Sequence, residues 1–146
     1  MQVRKWNVKK DYPSILKWCQ QRDWDSPIPK ETLPIMGVMV TDEDDICAAG
    51  LFIDKTSKLG FMWGIFSNPK INKVKLFKAM KMCVEKIRKQ AIKNKLSFVY
   101  TITGENALHK LYGKHMGMHL CENNINSYIM DLKNNNNLDW ISFNAK

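Results

Sequence analysis

The sequence predicts an α+β fold, a mostly antiparallel sheet flanked by helices. Three observations carry this. Residues 35–66 hold three apolar, strand-like runs joined by short polar turns, and connections that short make antiparallel neighbours. From about Ile71 to Asn94 apolar residues recur every three or four positions, the period of one long amphipathic helix. A strand, a short helix and a second strand follow it, over Ser97–Thr103, Asn106 onward and Asn126–Leu132.

Each element has its own justification. Val3, Trp6 and Val8 alternate with polar residues and predict a first strand over Val3–Val8. Asp11-Tyr12-Pro13-Ser14 starts a helix, with Asp11 as the cap and Pro13 in the first turn. Ile15, Leu16, Trp18 and Cys19 form its buried stripe, and it fades near Arg22-Asp23. Trp24 to Pro34 carries three prolines and reads as a loop with at most a short helix. The three strands are Ile35–Thr41, Ile46–Ile53 and Gly60–Phe66. The turn Asp42-Glu43-Asp44-Asp45 between the first two lacks the spacing and glycine of a calcium loop and reads as a solvated hairpin tip. The long helix buries Val74, Phe77, Met80, Val84, Ile87 and Ala91, with lysines on its wet side. Gly104-Glu105-Asn106 makes a capped turn, and Ala107, Leu108 and Leu111 share one face of the next helix, which stops near Gly117.

Composition narrows the function classes. The length of 146 residues suits one domain, and a hydrophobic fraction of 45% suits a packed core. No run is long enough to span a bilayer, and the first residues lack the apolar core of a signal peptide, so a cytoplasmic protein is expected. Cys19, Cys47, Cys83 and Cys121 are widely spaced within apolar segments, as buried free thiols are. His109, His115 and His119 do not make a metal site, because Gly117 interrupts any helix joining the last two. A net charge of +9 favours an anionic partner: a nucleotide-like cofactor, nucleic acid or an acidic protein. No nucleic-acid motif accompanies it, and the lysines surround the helix instead of interleaving with exposed aromatics.

The stretch Gly104–Met118, GENALHKLYGKHMGM, resembles the signature near the end of the GNAT superfamily of acetyl-CoA-dependent N-acetyltransferases. There an Asn- and Ala-containing helix ends in Leu-Tyr-x-Lys-x-Gly-Phe. Leu111-Tyr112-Gly113-Lys114 matches in register, Asn106 and Gly117 fall one place late, and Met118 replaces the aromatic. The order of elements over residues 1–132 is also similar, which leaves 133–146 as a C-terminal extension packed on the domain or on a partner. The resemblance implies that the strands flanking the long helix splay into a V-shaped slot for the pantetheine arm. Its amides would pair with the strand ending Ile65-Phe66-Ser67, much as an added strand does. The pyrophosphate would meet Asn72, Lys73, Val74 and Lys75 at the helix N-terminus, where free N–H groups and the helix dipole favour an anion. Asn106 would also contact the cofactor. Tyr112 would protonate the departing thiolate. Trp24, Asp25 and Glu31 would border the acceptor cleft.

Two departures from the family pattern matter. The usual loop keeps two small residues where this chain has Lys75 and Phe77, and no acid lies on the Phe61–Phe66 strand. Asp54, Glu31 and Glu105 are the nearest acids to act as general base. The expected function is transfer of an acetyl group from acetyl-CoA to an amine, small molecule or protein, in a direct ternary complex by a monomer or homodimer. The alternative is a catalytically degenerate domain of the same fold that serves binding or interaction.

Overall fold

The computed structural model describes residues 1–22, 28–54, 56–103, 106–122 and 127–131, with the side chains of 106–107, 121–122 and 127–131 outside that description. Trp24, Asp25, Glu105, the side chains of Asn106 and Cys121, and the extension 133–146 therefore lie outside the described residues.

The chain runs β1 (Gln2–Lys5), α1 (Val8–Gln20), a 3-10 turn (Lys30–Thr32), β2 (Met36–Thr41), β3 (Asp45–Ile53), β4 (Leu59–Ser67), α2 (Lys73–Lys93), β5 (Phe98–Ile102), α3 (Asn106–Lys110) with a π-turn (Leu111–His115), β6 (His119–Glu122) and β7 (Ser127–Asp131). One seven-stranded sheet has the order β1-β2-β3-β4-β5-β7-β6. Every neighbouring pair is antiparallel except β4 with β5, which is parallel. The α+β reading thus holds. No helix among the described residues is long and apolar enough to cross a membrane.

Period-2 alternation assigns the two faces of the sheet. Val38, Val40, Cys47, Ala49, Leu51, Met62 and Val99 point to the α2 side and are buried there. Met39, Ala48 and Phe66 point to the other side, against Trp6, Ile15, Trp18 and Cys19. The buried stripe of α2 is Ala79, Cys83, Val84, Ile87 and Ala91. Val74, expected in that stripe, is instead 68% exposed. It sits in the first turn, before the helix reaches the sheet. The small residues Ala79, Cys83 and Ala91 let the helix approach closely, and Val84 and Ile87 each contribute about 1.5–3 kcal/mol of burial.

The first helix begins earlier than the sequence suggests. Asn7 is its cap, with the Asn7 side chain accepting the Lys10 N–H at 3.1 Å. Asp11, expected as the cap, is inside the helix and almost fully buried. It accepts the Asn7 N–H at 2.7 Å and a two-pronged contact from Arg4 at 2.7 and 2.8 Å. This clamp ties the start of α1 to β1, so β1 ends at Lys5 and does not continue to Val8. A further difference lies after Gly117, where β6 precedes β7 and pairs with it in a hairpin; one strand alone was expected there. Gly117 makes this turn with φ of +62, a left-handed conformation that glycine adopts without strain.

Candidate functional site

The parallel ladder between β4 and β5 is short. It joins Leu59 to Phe98, Gly60 to Val99 and Phe61 to Tyr100, with no further β4–β5 pair among the described residues. Past Phe61, β4 stays with β3 up to Ser67. Its course is bent by a bulge: Ala49 pairs with Ile65 and Gly50 with Trp63, so Gly64 is the extra residue, at φ of +51. The two strands therefore part, as expected of the V-shaped slot. At the root of the splay a side chain replaces the backbone ladder. The buried Thr101 hydroxyl donates to the Met62 carbonyl at 2.9 Å.

Tyr112 lies close by, fully buried in the α2-side core. Burial is the main cause that pushes its phenol well above the ordinary value; Thr101 works in the opposite direction, and Cys83 adds to the rise. The phenol is thus held protonated beside the hydroxyl that bridges the splay. The Met118 N–H reaches back to the Tyr112 carbonyl at 3.0 Å and closes the π-turn that presents the ring.

At the open end of the splay is a cavity of about 490 Å³. Ile65 and Ser67 of β4, Pro69 and Ile71 of the loop, Leu76, Phe77 and Met80 of α2, and Leu108 of α3 form its mostly apolar wall. Two cations line it, Lys73 at the start of α2 and Arg22 just past α1. Arg22 Nη2 donates to Ser67 Oγ at 2.7 Å. The Arg22 N–H bonds the Cys19 carbonyl at 3.0 Å, which fixes where the side chain leaves α1.

The start of α2 presents different groups on its two sides. Asn72 caps α2 by accepting the Lys75 N–H at 2.9 Å. Lys73 and Val74 have no carbonyl within the helix to bond, by the geometry of its first turn. Lys75 does not line the cavity. Its ammonium meets Asp42 at 2.7 Å on the far side of the helix start, where Asn72 and Val74 also lie. The contact raises the Lys75 pKa and lowers that of Asp42, in both cases chiefly through their mutual hydrogen bond. Phe77 does line the cavity, half-buried, with its ring edge-on to His115 at 5.0 Å between centroids.

The site residues named from the sequence are thus only partly brought together. Ile65, Ser67 and Lys73 share the cavity, Phe66 is buried on the opposite face of the sheet, and Asn106 is the first residue of α3. Glu31 is exposed in the 3-10 turn. Asp54 accepts from Thr56 at the β3–β4 turn, at the opposite end of β4 from Ser67, about 26 Å away by strand rise. Sequence reasoning missed Arg22 and Thr101. Arg22 had a faint signal, an arginine in a chain that otherwise relies on lysine. Thr101 had a clearer one, a hydroxyl at an inward position between Val99 and Thr103 in an apolar strand.

No family model and no curated protein matches this sequence. Solved structures do match its fold. A phosphinothricin acetyltransferase of the GNAT superfamily from Sinorhizobium meliloti, in complex with AcCoA, aligns at 11% identity over 90% of this chain and 88% of its own, with a TM-score of 0.71. An acetyltransferase of the GNAT family from Staphylococcus aureus Mu50 aligns at 10% identity over 90% of this chain and 99% of its own, with a TM-score of 0.71. Rv2747 from Mycobacterium tuberculosis, in complex with CoA, aligns at 16% identity over 84% of this chain and 74% of its own, with a TM-score of 0.67. The chain has the GNAT fold.

Proposed function

We propose that this protein binds acetyl-CoA in the splay between β4 and β5 and transfers its acetyl group to an amine. The observation that carries the reading is the cavity between the free end of β4 and the start of α2, with an apolar wall and two cations. That combination suits a ligand with an amide-bearing arm and a pyrophosphate. The arm would lie along Ile65-Phe66-Ser67 as an added strand. The pyrophosphate would meet the Lys73 and Val74 amides, the Lys73 ammonium and the Arg22 guanidinium. Asn72 would act as the cap of that turn, and Asn106 would reach the ligand from α3.

In the transfer step the amine nitrogen attacks the thioester carbonyl carbon, a C–N bond forms, the C–S bond breaks, and the sulfur leaves with the electron pair. The amine must lose a proton and the thiolate gains one. Tyr112 is the proposed donor to sulfur, supported by its position close to Thr101 at the root of the splay; burial makes its phenol a weaker acid than an exposed one, which the departing thiolate must offset. Trp24, Asp25 and Glu31 remain the proposed acceptor-side residues.

One observation favours a second reading, a domain that binds the ligand or a partner without turnover. Among the described residues the cavity wall contains no carboxylate or histidine to accept the amine proton. Calorimetry and melting separate the outcomes. Acetyl-CoA at about a hundred times its dissociation constant should add roughly 2.7 kcal/mol of stability. Binding with thioester turnover supports transfer, binding without turnover supports the second reading, and no heat at millimolar acetyl-CoA rejects the acetyl-CoA site and leaves partner binding as the reading.

A further inference from the structure

The sheet has a second surface that the proposed function does not use. On the face that carries α1, the helix and the Leu33-Pro34 segment cover β2, β3 and the upper part of β4. The lower part of that face, across β3, β4 and β5, presents Phe52, Leu59, Phe61, Phe98, Tyr100 and Ile102. Phe52, Leu59 and Ile102 are 39%, 42% and 47% exposed, and the other three are half-buried. The rings form a row: Phe52 to Phe61 at 6.5 Å and Phe61 to Tyr100 at 6.0 Å between centroids, both stacked. A contiguous apolar patch of this kind marks a surface that something covers.

We infer that this patch is the docking surface of the chain's own residues 138–143, Leu-Asp-Trp-Ile-Ser-Phe. The described chain reaches Asp131, which pairs with Phe98 at the edge of the patch. From Asp131 to Leu138 the backbone spans up to about 23 Å. Crossing from β7 over β5 and β4 to β3 takes about 14 Å at the usual strand spacing. Residues 132–137 are therefore long enough, and polar enough, to carry the apolar segment onto the row of rings. Leu138, Trp140, Ile141 and Phe143 supply large apolar side chains, and one Asp and one Ser leave the segment an outward polar side. It would complete the layer that α1 begins.

The test uses the full chain and reads Trp140. The difference in emission between wild type and Trp140→Phe isolates that indole, and a neutral quencher such as acrylamide measures its shielding. We expect Trp140 to be shielded in wild type. Leu59→Lys and Ile102→Lys, both at exposed positions where folding tolerates charge, should raise its quenching severalfold towards that of a free indole. Circular dichroism and the melting transition of each variant show that the sheet is intact. Free quenching of Trp140 in wild type overturns the inference, as does shielding that survives both lysines. Shielding that disappears on dilution together with a dimer in sedimentation also overturns it, and gives the patch to a second copy of the chain.

Discussion

Arg22→Gln is the most direct test of the proposed anion site. Arg22 stands at the mouth of the cavity, and its visible partner there is a neutral hydroxyl, Ser67 Oγ at 2.7 Å. A guanidinium–phosphate hydrogen bond contributes about 1.5–3 kcal/mol. Giving up the neutral Ser67 bond offsets part of that, on the order of 1 kcal/mol. The net gain is then about 0.5–2 kcal/mol, so Arg22→Gln should weaken acetyl-CoA binding about 2- to 30-fold. Arg22→Lys should fall between, since an ammonium keeps the charge but not the planar fork. Ser67→Ala should leave affinity equal or slightly tighter, because it frees the guanidinium. The assay is calorimetric titration at low salt, repeated at about 0.3 M. There the gap between wild type and Arg22→Gln should narrow as screening shortens to well under about 10 Å. Equal affinities of wild type and Arg22→Gln at low salt would show that the phosphates lie elsewhere.

The other predictions concern groups whose environments differ. Lys73→Glu should weaken acetyl-CoA binding at least about tenfold by placing a like charge beside the phosphates, whereas Lys75→Ala should change it less than about twofold, since Lys75 is engaged with Asp42; titration of both variants decides whether the two lysines differ. Tyr112→Phe should preserve acetyl-CoA affinity and lower thioester turnover by about 100-fold or more; wild-type turnover in the mutant would assign the hydroxyl to packing. Asp11→Asn should cost about 1–3 kcal/mol at neutral pH, below the range for a fully buried pair because Arg4 remains partly in water. Burial opposes the Asp11 charge, but the hydrogen bonds from Arg4 and the Asn7 N–H outweigh it and hold the pKa below the ordinary carboxylate value. Its stabilisation is therefore complete above the unfolded value near about 4 and disappears as pH falls through the lowered folded value. Urea titrations of wild type and Asp11→Asn should converge in that acidic window, and a constant gap down to the lowest pH would contradict the assignment.

The fold was legible where local pattern and tertiary packing agree. The three strands of residues 35–66 carry both alternation and turn chemistry, and each came within a residue or so of its observed bounds. The errors fall where a contact from elsewhere decides. Asp11 reads as a cap by residue type, but Arg4 of β1 takes its carboxylate, and the helix starts a turn earlier at Asn7. Val74 fits the period of α2, but the helix begins beyond the edge of the sheet and that residue meets solvent. His119-Leu120-Cys121-Glu122 has little strand character of its own; pairing with β7 makes it a strand. In the site, backbone features could be inferred from element order, because a splay and a helix N-terminus are properties of topology. Side-chain partners could not. Nothing in the sequence links Arg22 to Ser67, or Thr101 to Met62, across so many residues.

The two positions where the loop lacks small residues illustrate this difference, and they have opposite consequences. A side chain at either place can keep phosphates from the backbone. At Lys75 the side chain is turned away, because Asp42 holds its ammonium on the side of the helix start opposite the cavity. At Phe77 the ring remains, as a wall of the cavity held edge-on by His115. The usual small residue would widen the cavity there and expose more backbone. In the proposed complex the anion would then rely more on side-chain charge, from Lys73 and Arg22, than on a glycine cradle. A ligand held by two exposed side-chain cations would be more sensitive to salt than one held by oriented amides, since exposed charges are readily screened. Affinity for acetyl-CoA should accordingly fall steeply with ionic strength in wild type. In Arg22→Gln the slope should be shallower, with Lys73 the main charge left.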